Sequence, residues 1–120
     1  MSVTLFSVSV DCRDAGKLAD FWGQVLDRAV DPDATDEFAT IGMQPGASDG
    51  AVWMFHRVPE AKTVKNRLHM DFVAADLEDE VARLLTVGAT HLGDVAEGGY
   101  RWATLADPEG NEFDVVAAPA

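Results

Sequence analysis

Phe38-Ala39-Thr40-Ile41 is answered at an offset of 64 (38 to 102) by Trp102-Ala103-Thr104-Leu105, and that echo decides how the chain is read. Asp14 is answered by Asp76 at an offset of 62, each at a strand end and each opening a helical pattern. More loosely, residues 7–42 return as 69–106, and each copy is followed by a turn and one further strand, 51–58 in the first and 112–117 in the second. A period of about sixty residues that occurs only twice is too long for a solenoid unit. It predicts two copies of one small supersecondary unit, packed face to face with a ligand site between them.

Each copy has the same order of elements. Residues 3–12 alternate around Phe6, Val8 and Val10, which predicts a strand with one apolar face. Asp14 is a helix N-cap ahead of Leu18, Phe21, Trp22, Val25 and Leu26 at helical spacing. A short strand is expected near 28–30, then a hairpin of 37–43 and 51–58 around a turn at 44–50 that contains Pro45 and Gly46. The polar stretch 59–66 joins the copies. Residues 67–74 alternate again, with Leu68, Met70 and Phe72 on one face. Asp76 caps a second helix with the stripe Leu77, Val81, Leu84 and Leu85, and Gly88 ends it. Residues 91–95, 101–106 and 112–117 complete the copy, the last two joined by the turn Asp107-Pro108-Glu109-Gly110-Asn111. The predicted fold class is α+β: paired βαβββ modules, about 2–58 and about 67–117, within a single domain spanning 1–120, forming a curved mixed sheet with a concave ligand pocket.

Strand alternation sorts the side chains onto two faces. The face away from the helices gathers Ser7, Ser9, Asp11, Met54, His56, Arg67, His69, Asp71, Glu112 and Asp114, a set of polar groups that needs water or a ligand. Ser7 and His69 each lie seven residues before their capping aspartate and are equivalent under the repeat. Met54 and Asp114, counted from Gly50 and Gly110, are equivalent too. His69 is read as a metal ligand, a general base, or a polar residue satisfied by Asp114 or Asp71. Asp114, between Phe113 and Val115, calls for a ligand, a metal or a basic partner such as Arg67. His56 reads as a pocket-lining residue, a third ligand or a base. Trp102 and Phe38 line the cavity or pack beneath it, and His91 is a surface residue.

The bulk properties exclude several classes. With 120 residues, 48% of them hydrophobic, the chain has material for a real core. Nine basic against twenty-one acidic residues give a net charge of −12, which opposes nucleic acid and anionic membranes as partners. Cys12 is the only cysteine, so no intrachain disulfide and no thiolate metal cluster forms. There is no apolar run of membrane-span length and no signal-peptide pattern, so a cytoplasmic location is expected.

Three motifs carry a family resemblance: Asp14-x6-Phe21-Trp22-x2-Val25-Leu26; Lys65-Asn66-Arg67-Leu68-His69-Met70-Asp71-Phe72 with Asp76 and Gly88-Ala89; and Asp107-Pro108-Glu109-Gly110-Asn111-Glu112-Phe113. In order and spacing they resemble the glyoxalase / bleomycin-resistance / extradiol dioxygenase superfamily, the vicinal oxygen chelate proteins, and in particular its small glyoxalase-like subgroup. The resemblance covers essentially the whole chain. It implies one divalent ion held by side chains of the first, fourth, fifth and eighth strands, which fall here on Ser7, Met54, His69 and Asp114. His69 matches the usual histidine, and Asp114 is a shorter carboxylate than the usual glutamate. Ser7 and Met54 are poor ligands for a hard or borderline ion. The glycine customary after Val25-Leu26 is replaced by Asp27. A set of His56, His69 and Asp114 would restore two histidines and one carboxylate with open positions.

Two functions of different class follow. In the first, the chain is a metal-dependent lyase, isomerase or dioxygenase holding zinc, nickel, manganese or iron, with His56 and His69 as catalytic residues and Ser7, Met54, Arg67 and Trp102 lining the ligand. In the second, it is a metal-free binding protein that sequesters a cationic antibiotic or metabolite, drawn by the −12 charge and the aromatic rings. The resemblance also implies a homodimer.

Overall fold

Each half of the chain folds a helix onto its own mixed sheet, as the doubling requires. The computed structural model describes residues 2–44 and 50–119 and divides into two compact units, Met1–Ala61 and Lys62–Ala120. The first unit runs β1 (Ser7–Cys12), α1 (Ala15–Leu26), β2 (Phe38–Ile41) and β3 (Val52–Arg57), with the strand order β1-β3-β2. The second runs β4 (Asp71–Ala74), α2 (Leu77–Thr86), β5 (Thr90–Glu97), β6 (Tyr100–Ala106) and β7 (Glu112–Ala117), in the order β4-β7-β6-β5. In both units the first strand pairs in parallel with the last, and the remaining pairings are antiparallel. This is the α+β architecture expected from the repeat. No helix among the described residues is long and apolar enough to cross a membrane.

Local chemistry fixes the helix ends. Asp14 and Asp76 both cap as expected, their side chains accepting from the backbone N–H of Lys17 and Asp79, each at 3.0 Å. Both helices stop in the same way. Arg28 N–H donates to Gly23 C=O and Asp27 N–H to Gln24 C=O; in α2, Ala89 N–H donates to Leu84 C=O and Gly88 N–H to Leu85 C=O. These are paired Schellman bonds around one residue of positive φ. Gly88 fills that place in the second unit (φ 118), and Asp27 fills it in the first (φ 52, ψ 48). The missing glycine of the sequence motif is therefore a functional substitution of conformation: aspartate tolerates the left-handed region better than most residues.

Each core lies between helix and sheet. In the first unit Leu18, Phe21 and Trp22 cover Ile41, Trp53 and Phe55, with the Trp22 and Trp53 rings 5.0 Å apart. In the second, Leu77, Val81 and Leu84 are buried with Ala103, Leu105, Phe113 and Val115, and Phe72 meets Phe113 edge-on at 6.0 Å. The turn before β7 is held by Asp107, which is buried and whose Oδ1 accepts from the N–H groups of Glu109 and Asn111, both at 2.9 Å. Its first-unit counterpart at 44–50 lies for the most part outside the described residues.

Several expected boundaries move. The first strand starts at Ser7 rather than residue 3, because its ladder partner starts at Val52, and Phe6 is 65% exposed instead of facing the helix. The fifth expected strand starts at Asp71 rather than residue 67. Leu68, placed on the buried face by alternation, is 83% exposed. Here a side chain replaces the ladder: Asn66 Nδ2 donates to the Glu112 backbone carbonyl at 2.9 Å. The short strand near 28–30 shrinks to one bridge, Val30 with Ile41.

Because glycine carries no Cβ penalty at positive φ, Asp27→Gly should stabilise the protein by about 0.5–1 kcal/mol. A urea midpoint that rises with an unchanged slope would bear this out.

Candidate metal centre

The register of each sheet lines up one row of three residues across its polar face. In the second unit Asp71 of β4 pairs with Asp114 of β7, and Asp114 pairs with Thr104 of β6. In the first unit the matching row is Ser9 of β1, Met54 of β3 and Thr40 of β2. The offsets are 62 (9 to 71), 60 (54 to 114) and 64 (40 to 104), those of the sequence repeat. One row carries two carboxylates and a hydroxyl; the other carries two hydroxyls and a thioether.

Directly paired carboxylates repel, so a positive group belongs beside them. His69, two residues before Asp71, supplies a neighbour. Its Nε2 lies 3.4 Å from Asp71 Oδ1 and 3.4 Å from Asp114 Oδ2. Both separations exceed the about 2.7–2.9 Å of a good charge-assisted hydrogen bond. The ligand atoms of His69, Asp71 and Asp114 all lie within 4.8 Å of one another. Asp114 is the most enclosed of the three, with its side chain 15% exposed, and its two oxygens are divided: Thr104 Oγ1 donates to Oδ1 at 2.7 Å, leaving Oδ2 toward His69. In the first unit Thr40 turns instead to the buried Asp31, donating to its Oδ2 at 2.6 Å, with the Met43 N–H donating to the same oxygen at 2.8 Å.

The donor set fits a divalent ion. Ligand atoms at bonds of about 2.1 Å stand about 3.4 Å apart on a tetrahedral ion and about 3.0 Å apart at neighbouring octahedral positions. One imidazole and two carboxylates form a hard-to-borderline set, better suited to manganese or iron than a soft site would be. His69, Asp71 and Asp114 would be the holders, and Thr104 the outer-shell group that aims Asp114.

Glu112, one alternate position before Asp114, is the centre of a separate ionic cluster. Lys62 Nζ lies 3.3 Å and Lys65 Nζ 3.8 Å from its carboxylate, and the Asn66 N–H donates to it at 3.3 Å. Desolvation pushes the Glu112 carboxyl up, but the Asn66 N–H and the two lysines outweigh it and hold the group below the usual 4.5.

The other expected site residues are spread over both units. Ser7 opens β1, half-buried and paired with Val52. Met54 is half-buried in β3 between Ser9 and Thr40. His56, also half-buried in β3, packs its ring on Phe38 at 5.1 Å. Trp102 is half-buried in β6 opposite Val116, on the same face as Thr104. Arg67 is exposed in the bend before β4. His91, exposed as expected, lies 2.9 Å from Asp94. Asp71 is the donor that sequence reasoning passed over as a ligand. Its signal was present: two residues after His69 it falls on the same face by alternation, and the repeat equates it with Ser9, another member of the polar face.

The βαβββ order of the second unit, with His69 brought beside the carboxylates of its polar row, agrees with the glyoxalase-like resemblance seen in the sequence. The glyoxalase-like domain model matches residues 7–116, and the chain belongs to that family. Among solved structures it is similar to a glyoxalase/bleomycin resistance protein/dioxygenase family enzyme from Burkholderia phytofirmans PsJN, at 18% identity, TM-score 0.74, and coverage of 96% of this chain and 98% of that one. It is also similar to a mutant of the fosfomycin resistance protein FosX from Listeria monocytogenes complexed with Mn(II) and 1S,2S-dihydroxypropylphosphonic acid, at 11% identity, TM-score 0.75, and coverage of 96% and 90%. Lactoylglutathione lyase from Agrobacterium tumefaciens gives 11% identity, TM-score 0.65, and coverage of 98% and 96%. At these identities the likeness is one of fold. No curated protein sequence matches the chain.

Because the folded Glu112 carboxyl sits below its ordinary value, its contribution to stability is complete above about pH 4.5 and is lost as pH falls through the lowered value. The stability gap between the wild type and Glu112→Gln, measured by urea unfolding, should therefore be widest near neutrality and close in acid; a gap that widens in acid would reverse the sign.

Proposed function

We propose that this chain is a metal-dependent enzyme of the lyase or isomerase kind, acting on a small oxygen-bearing molecule, with one divalent ion on His69, Asp71 and Asp114. The observation that carries the reading is the approach of three donor atoms to within 4.8 Å of one another on the polar face of one sheet. A bound ion would polarise a substrate oxygen and stabilise negative charge developing on it. Thr104 holds Asp114 Oδ1 and fixes which carboxylate oxygen faces His69. Arg67, exposed two residues before His69, is the side chain proposed to meet an anionic group of the substrate, and Trp102 to cover its apolar part. The roles expected of His56, as a further ligand or as the base, and of Ser7 and Met54 as ligand-lining residues, belong to the same proposal. So do dioxygenase chemistry with iron, a cytoplasmic setting and a homodimer.

The Mn(II) in the FosX complex supports the metal half of this reading by analogy of fold. A specific observation favours the second reading, a metal-free binder of a cationic antibiotic: the net charge of −12 would concentrate such a ligand.

Calorimetric titration with manganese, ferrous iron, zinc and nickel separates the two. One ion per chain at micromolar affinity is expected, with affinity falling at least about a hundredfold in His69→Ala and Asp71→Asn, since each removes a direct ligand. A His56→Ala variant in the same series reads that residue's part. Absence of binding by every ion, with cationic ligand uptake unaffected by chelator, would overturn the enzyme reading in favour of the binder.

A further inference from the structure

We propose that Glu112 is a positioning residue for His69, clamping the irregular segment that carries the imidazole onto the same strand that carries Asp114. This rests on the reading of His69 as a metal ligand. His69 lies outside any strand or helix, between the end of β3 and the first residue of β4. An imidazole on an unpaired segment has no ladder to fix it, yet its Nε2 stands at 3.4 Å from both carboxylates.

Two attachments to β7 bracket it. Upstream, Glu112 takes up the segment through four groups: Lys62 Nζ, Lys65 Nζ and the Asn66 N–H on its carboxylate, and Asn66 Nδ2 on its backbone carbonyl. Downstream, the Asp114 N–H donates to the Met70 carbonyl at 2.9 Å. Only residues 67–69 span the gap, and Arg67 and Leu68 in it are exposed and supply no packing of their own. The His69 backbone is then held between the two, with the upstream clamp on Glu112 fixing how the segment enters the site. The Glu112 and Lys62 side chains are 17% and 28% exposed, so their attraction is screened less than that of a surface pair. Because both attachments belong to β7, the histidine and Asp114 are registered to one backbone.

The test uses the metal-free protein first, so that it stands apart from the metal reading. In Glu112→Gln, exchange of the Asn66 amide, which donates to that carboxylate, should quicken at least about tenfold and the His69 ring resonances should shift, while the amides of β6 and β7 keep their protection. Asn66→Ala, which leaves the carboxylate in place, should give the same local loosening. Glu78→Gln, which breaks the exposed pair with Arg101 elsewhere in the unit, should leave His69 unchanged. Manganese affinity in Glu112→Gln should then fall about 10–100-fold, the usual cost of removing an outer-shell support. Unaltered exchange at residue 66 and unaltered His69 resonances in both variants would overturn the proposal. If the wild type binds no metal, the metal reading fails by itself, and the metal-free measurements still decide the positioning role.

Discussion

The parallel pairing of β4 with β7 sets Asp71 beside Asp114, and the chemical character of the second unit follows from the charge this pairing concentrates. Strands in a sheet stand about 4.8 Å apart, so two carboxylates in one row repel unless something positive comes between them or beside them. Three features answer that repulsion. Thr104 donates to one oxygen of Asp114; the His69 ring approaches the other; and Asp71, with its side chain 60% exposed, keeps access to water. A divalent ion would answer it more fully than any of these, and that is the physical ground on which the row is proposed as a binding site.

The first unit shows what the same fold does without that demand. Its row of Ser9, Met54 and Thr40 carries no charge, and Thr40 bonds to Asp31 across a buried contact instead of steering a ligand carboxylate. The two helices share their aspartate caps and Schellman ends, so the two units have the same scaffold and differ in their rows. The Ser7 and Met54 departures noted in the sequence belong to that difference. They concentrate the proposed chemistry in one unit, where Asp71 provides a third donor without recourse to the other.

Much of this was legible in the residues. The helix caps at Asp14 and Asp76, the Asp107 turn and the order of elements follow from local chemistry that leaves clear marks: a short polar side chain at a helix start, apolar spacing, and a proline–glycine turn. The neighbourhood of His69 and Asp114 was legible through the repeat and the family motif together. What escaped was decided by partners distant in sequence. Phe6 and Leu68 alternate correctly for a strand, yet their ladders end before reaching them. Asn66 reads as a solvated linker residue until its amide is seen to stand in for a ladder bond on Glu112. Asp71 reads as a member of the polar face and a hydrogen-bond partner for His69 until the register places it next to Asp114.

The decisive question is where a divalent ion settles. Substoichiometric manganese added to isotope-labelled protein broadens resonances within its reach, so a nitrogen–proton correlation spectrum reports its position residue by residue. With the ion on the proposed donors, the signals of His69, Asp71, Thr104 and Asp114 are lost early and those of helix α2, on the other face of the sheet, persist. Broadening centred on the exposed acidic residues of α2, or uniform loss over the surface, would contradict it.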